Sequence, residues 1–113
     1  MLIVEREAGD VIVLEPRGRV DASGREEFYR VLNGVVEKGA TKLLLDLSQV
    51  PYMDSTGVGV LFGVYTSLKK RGGAIRLAGV SDRLRKVLTL VCLDGMIEIS
   101  ETPEDALDKF GRA

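Results

Sequence analysis

An α/β domain with a mixed, mostly parallel sheet of about five strands and about four helices, in the order β-β-α-β-α-β-α-β-α, is the architecture this sequence predicts. Three observations carry the expectation. Strand-like and helix-like periodicities alternate along the chain, each helix-like segment has an apolar stripe, and the middle strand-like segments lack a clearly polar face. The 113 residues are read as one domain, 1–113. A chain of this length buries roughly two-thirds of the surface it exposes when unfolded, enough for a core without metal or disulfide.

Leu2 to Glu7 and Val11 to Glu15 alternate in polarity around Ala8-Gly9-Asp10. A short glycine-containing connection between two such runs predicts an antiparallel hairpin at one edge of the sheet. Ser23 and Glu26 have the spacing of a capping box, in which a hydroxyl accepts a backbone N–H and a carboxylate reaches back, so the first helix is expected to start there. Its Phe28, Val31, Leu32, Val35 and Val36 recur at three- and four-residue steps, and Gly39 ends it. Lys42-Leu43-Leu44-Leu45-Asp46-Leu47 is nearly continuous in apolarity, the pattern of a strand covered on both faces.

From Gly57 to Arg71 the chain is long enough for about four helical turns. Val58, Leu61, Phe62 and Tyr65 fill one stripe, Val60 and Val64 lie off it, and Gly72-Gly73 closes the helix. Ala74 to Ala78 is the next strand. Ser81-Asp82 caps a third helix with Leu84, Val87, Leu88 and Val91 as its stripe and Arg83, Arg85 and Lys86 toward water. Met96-Ile97-Glu98-Ile99 supplies a last short strand, and Thr102-Pro103-Glu104-Asp105 opens a final helix with a cap residue, proline at its first position and early acids.

Composition removes several function classes. Sixteen basic residues against seventeen acidic ones leave a net charge of −1, so no overall field draws the chain to nucleic acid or anionic lipid. With no histidine, Ser-His and Cys-His nucleophile pairs and imidazole metal sites are absent. No phosphate-binding glycine loop, dinucleotide fingerprint or nucleophile elbow occurs. The lone Cys92, set in Leu90-Val91-Cys92-Leu93, is expected to be a buried, inert thiol. No hydrophobic stretch is long enough for a signal peptide or a membrane span, so a cytoplasmic protein without direct membrane insertion is expected.

The most informative run is Met53-Asp54-Ser55-Thr56-Gly57, which places a hydroxyl at the junction between the central strand and a helix. Ser55 or Asp54 could simply cap that helix while Gly57 permits close packing against the sheet. Gly59, Gly63 and Ser67, spaced by four, form a low ridge that suits either a foreign backbone or the host's own strands. Val60 and Val64 could face a partner or a neighbouring helix. Gly18-Arg19-Val20-Asp21 follows the second strand as the serine run follows the third, so both loops should lie at the carboxyl ends of strands, where such folds place function. Asp21 reads equally as a contact residue or a turn residue.

Gly18-Arg19-Val20-Asp21, Leu43 to Val50, Met53-Asp54-Ser55-Thr56-Gly57 and Ile75-Arg76-Leu77-Ala78-Gly79-Val80 together resemble a stand-alone STAS domain of the anti-sigma factor antagonist family, over nearly the whole chain. The resemblance implies that Ser55 is phosphorylated by an anti-sigma factor that is also a serine kinase, and that the unphosphorylated form binds this kinase and frees a sigma factor. It also implies a PP2C-type phosphatase, no cofactor and no catalytic activity of the chain itself. Asp21, Asp54, Ser55, Thr56, Gly57 and Gly59 are then the expected contact residues, with Thr56 a lesser candidate for modification. Related single domains serve as scaffold subunits of lipid-transport ABC complexes or stress-signalling assemblies, the alternative reading. A phospho-aspartate receiver shares the architecture but needs an acidic pair that Asp46 lacks.

Overall fold

The computed structural model describes residues 1–111. Its elements are β1 (Leu2–Ala8), β2 (Val11–Arg17), α1 (Arg25–Glu37), β3 (Lys42–Asp46), α2 (Ser55–Lys70), β4 (Ala74–Ala78), α3 (Asp82–Leu90), a short 3-10 turn (Leu93–Gly95), β5 (Glu98–Ser100) and α4 (Pro103–Gly111). The expected order of strands and helices is the observed one. The five strands lie side by side in chain order, β1 antiparallel to β2 and the rest parallel. Glu5, Arg6 and Glu7 on the outer strand β1 discourage pairing with a further strand.

The apolar run of β3 has a simple cause. Successive side chains of a strand point to opposite faces, and here both faces are covered. Leu43 and Leu45 join the large core made with α1, α2 and α3, including Phe28, Leu32, Leu61, Leu68, Leu84 and Leu88. Leu44 points the other way, into a smaller cluster with Val11, Val13, Ala78 and, from α4, Ala106 and Phe110. Three helices thus cover one face and α4 covers the other. Val60 and Val64 are buried in the larger core with α1 residues, so the neighbouring helix, and not a foreign surface, accounts for them.

Five local expectations are corrected. Gly24, not Ser23, precedes α1, with no side-chain cap, because the Ser23 amide and hydroxyl both donate to Asp21 Oδ1 at 3.0 and 2.7 Å. Cys92 is exposed, not buried. The helix α3 stops at Leu90, and Cys92 adopts a left-handed φ of 62°, which turns the chain so that Leu93 enters the core in its place. Val91 is consequently 49% exposed instead of completing the stripe. The last strand begins at Glu98, two residues after Met96, because Met96 and Ile97 donate their amides to the Leu93 carbonyl and so close the preceding turn. Phe62 is 49% exposed although its neighbours Leu61 and Val64 are buried.

Leu44 is fully buried in the smaller cluster, so Leu44→Ala should destabilise the fold by about 2–5 kcal/mol, read as a lowered urea midpoint at constant slope.

Candidate functional site at the carboxyl end of the sheet

The loops after β2 and β3 are joined to each other by their backbones. Gly18 N–H donates to the Gln49 carbonyl (2.9 Å), Val20 N–H to the Tyr52 carbonyl (3.0 Å), and Asp54 N–H to the Val20 carbonyl (3.0 Å). Val20 and Met53 form an isolated parallel bridge, and both side chains are fully buried. The two loops therefore extend the β2–β3 pairing beyond the strands, and the residues immediately after each are held in register.

Each loop then ends in the same small device, an aspartate with a hydroxyl residue two positions on. Asp21 Oδ1 accepts from the amide and hydroxyl of Ser23, while the Asp21 carbonyl accepts from Arg25 N–H at 2.8 Å. Asp54 Oδ1 accepts the Thr56 amide at 3.0 Å, the Thr56 hydroxyl at 2.5 Å and the Gly57 amide at 3.3 Å. Asp54, in an extended conformation, is the residue that caps α2. Its carboxylate satisfies two of the amides that a helix N-terminus leaves without partners.

Ser55 is thereby released from capping. It is the first residue of α2, it is exposed, and among the described residues its hydroxyl has no hydrogen-bond partner. Thr56 is exposed as well, but its hydroxyl is committed to Asp54. Gly57 has a different place from its neighbours. It is buried, and a Cβ there would come within 2.5 Å of Met53 Cγ and 2.7 Å of Val20 Cγ1, so its missing side chain is what lets α2 sit on the Val20–Met53 bridge. Of the two roles open to this glycine, packing against the host's own sheet is the one observed.

Gly59 and Gly63 are the opposite case: exposed, with nothing within 4 Å of an added Cβ. With Ser55 they form a row at four-residue steps along α2, and Arg25, Tyr29 and Asn33 form the equivalent row along α1. The two rows line one groove of about 500 Å³. Phe62 lies seven residues after Ser55, on nearly the same side of α2 at 3.6 residues per turn. Sequence reasoning missed Arg25, Tyr29, Asn33 and Phe62. The seven-residue step from Ser55 to Phe62 was a readable signal, but nothing in the sequence shows that α1 and α2 are neighbours. Asp46, the candidate for a receiver-like acceptor, accepts the Ser48 amide at 3.1 Å as a turn residue.

Both aspartates are held below the ordinary carboxylate range. The Thr56 hydroxyl, then the Gly57 and Thr56 amides, stabilise the Asp54 carboxylate against partial desolvation and, last, the opposing charge of Asp21. Asp21 is lowered by the Ser23 hydroxyl, the Ser23 and Gly24 amides and, last, by Arg19. Among the described residues no group of three or more His, Cys, Asp or Glu side chains is arranged to hold a metal, and no helix is long and apolar enough to cross a membrane.

The chain and its fold have clear relatives. The STAS domain model matches residues 3–106, and the chain belongs to that family. An anti-sigma-B factor antagonist of Listeria monocytogenes is 42% identical over 73 residues, which is 65% of this chain and 59% of that one. The match thus spans less than two-thirds of that relative. A crystal structure from Thermotoga maritima, provisionally assigned as an anti-sigma factor antagonist, superposes with a TM-score of 0.90 at 27% identity over 95% of this chain and 92% of that one. The Bacillus cell fate determinant SpoIIAA, solved in its phosphorylated form, shares the fold with a TM-score of 0.76 at 23% identity over 96% of this chain and 99% of that one.

A carboxylate depressed in the folded state stabilises fully above its unfolded value and loses that contribution as pH falls through the folded one. For Asp54 the unfolded value is 3.8, so acid unfolding should steepen below about pH 4. Asp54→Asn should lower stability at pH 7 and flatten that acid limb, measured by thermal melts across pH.

Proposed function

We propose that this protein is an anti-sigma factor antagonist whose partner is an anti-sigma factor with serine kinase activity, and that Ser55 is the switch. In the unphosphorylated form the exposed face of α2, with Ser55, Gly59 and Phe62, packs on the partner beside the Asp21 and Asp54 loops, and the sigma factor is released. Phosphorylation of Ser55 turns binding off, and a PP2C-type phosphatase restores it. The chain acts as substrate and binding partner, not as an enzyme.

The observation that carries this reading is that Asp54, and not Ser55, caps α2, which leaves the Ser55 hydroxyl exposed and without an intramolecular partner. The naming of the Listeria relative and the phosphorylated SpoIIAA structure support it. In the transfer, the serine oxygen bonds to the γ-phosphorus of ATP, the bond from that phosphorus to the bridging oxygen breaks, ADP departs, and the serine proton passes to a base of the kinase. The added group carries about −1.5 to −2 charges. Its place in the first turn of α2 suits the helix dipole by about 0.3–1 kcal/mol, so the fold survives modification. An interface does not tolerate it as well. A partner carboxylate about 6 Å away repels each unit charge by roughly 3 kcal/mol at an effective dielectric of about 20, close to a hundredfold in affinity.

Ser55→Ala should bind the kinase as the native protein does and take up no phosphate, by titration calorimetry and intact mass. Ser55→Asp should bind roughly a hundredfold more weakly. Equal affinities for the two variants count against the switch. Stable co-purification with a transport ATPase or signalling assembly, with no phosphate on Ser55, favours the scaffold reading instead.

A further inference from the structure

The groove beside Ser55 has an arginine at its mouth. Arg25 is the first residue of α1 as Ser55 is the first residue of α2. Both helices begin just after a parallel strand, at the same end of the sheet, and the loops that lead into them are bonded together. Arg25 and Ser55 each begin one of the two rows that line the groove, Arg25, Tyr29 and Asn33 on α1 and Ser55, Gly59 and Gly63 on α2. Helices packed against each other have axes about 8–10 Å apart, and the α2 row is built of small residues, so an extended arginine spans the gap. Arg25 is exposed and, among the described residues, makes no ion pair or side-chain hydrogen bond.

We infer that Arg25 is the intramolecular counter-ion of phosphorylated Ser55, bridging α1 and α2 across the mouth of the groove. This rests on Ser55 being the modified residue and goes beyond it, because it makes the switch steric as well as electrostatic. A phosphate dianion here stands beside the Asp54 carboxylate, near that of Asp21, and opposite Glu26 in the first turn of α1. Glu27 is already paired with Arg30 at 2.6 Å. Of the other cationic groups at this end, Arg83 is stacked over the Tyr52 ring at 4.7 Å, Arg19 lies beside Asp21, Arg17 is paired with Glu15 at 3.0 Å, and the N-terminal amine, with Met1 packed beside Gly24, acts on Glu27. Arg25 is the cation that lines the groove with Ser55. Its planar fork matches two phosphate oxygens, a geometry that lysine lacks. Once bridged, the groove can no longer receive a side chain from the partner, so the modified protein presents a closed face where the unmodified one presents a cleft.

The test is a ³¹P NMR titration of protein carrying phosphoserine at position 55, installed during translation so that the result does not depend on any kinase. The second ionisation of a phosphoserine lies near 6. In the native background its midpoint should lie below that of Arg25→Gln by roughly half a unit to one unit, with Arg25→Lys between the two and Arg83→Gln unchanged. The same midpoint in the native and Arg25→Gln proteins, or a shift on Arg83→Gln in place of Arg25→Gln, would overturn the inference. Failure of a kinase to label Ser55 bears on the proposed switch alone and leaves this measurement intact.

Discussion

Three backbone hydrogen bonds between the loops after β2 and β3 are the constraint on which the rest of this molecule's surface chemistry depends. They prolong a parallel strand pair past the point where the strands end, through the Val20–Met53 bridge. Loops at the carboxyl ends of parallel strands are ordinarily the mobile part of an α/β fold. Here each constrains the other, and the start of α2 inherits its position from that pairing. Gly57 is part of the same arrangement, since any side chain at its position would collide with the two bridging residues.

Division of labour at the junction follows from this. A helix needs its first amides satisfied, and the nearest carboxylate, Asp54, does so with one oxygen that also takes the Thr56 hydroxyl. Because the aspartate holds the cap, the serine is free to face solvent, and modifying it breaks no bond that the fold uses. A switch residue that also capped its helix would have to give up or remake that cap when modified, at a cost of about 0.5–2 kcal/mol. The same logic makes Asp21 a positioning residue of the first loop, where it orders Ser23 and receives the first amide of α1.

Much of this was legible in the sequence, and the exceptions have physical causes. The element order, the doubly covered β3 and the placing of both loops at one end followed from periodicity and topology alone. Ser23 was misread because a capping box and an aspartate turn compete for the same donors, and which acceptor wins depends on where the Val20–Tyr52 pairing places Asp21. Cys92 was misread because Leu90-Val91-Cys92-Leu93 continues an apolar pattern, whereas burying Leu93 requires a left-handed residue before it, a tertiary demand with no local signature. The groove was invisible for a similar reason. Its two rows come from helices separated in sequence by a strand, and the sequence does not say which faces of them meet.

The central claim is that the paired loops hold the junction rigid whether or not Ser55 is modified. Amide hydrogen exchange tests it most directly, because the Val20 and Asp54 amides are the donors of two of the three linking bonds and the Ser55 amide next to them has no such acceptor. The account predicts protection of Val20 and Asp54 approaching that of the β3 amides, alongside a fast Ser55, in both the unmodified and the phosphorylated protein. Exchange of Val20 and Asp54 at the rate of an open loop, or loss of their protection on phosphorylation, would contradict it.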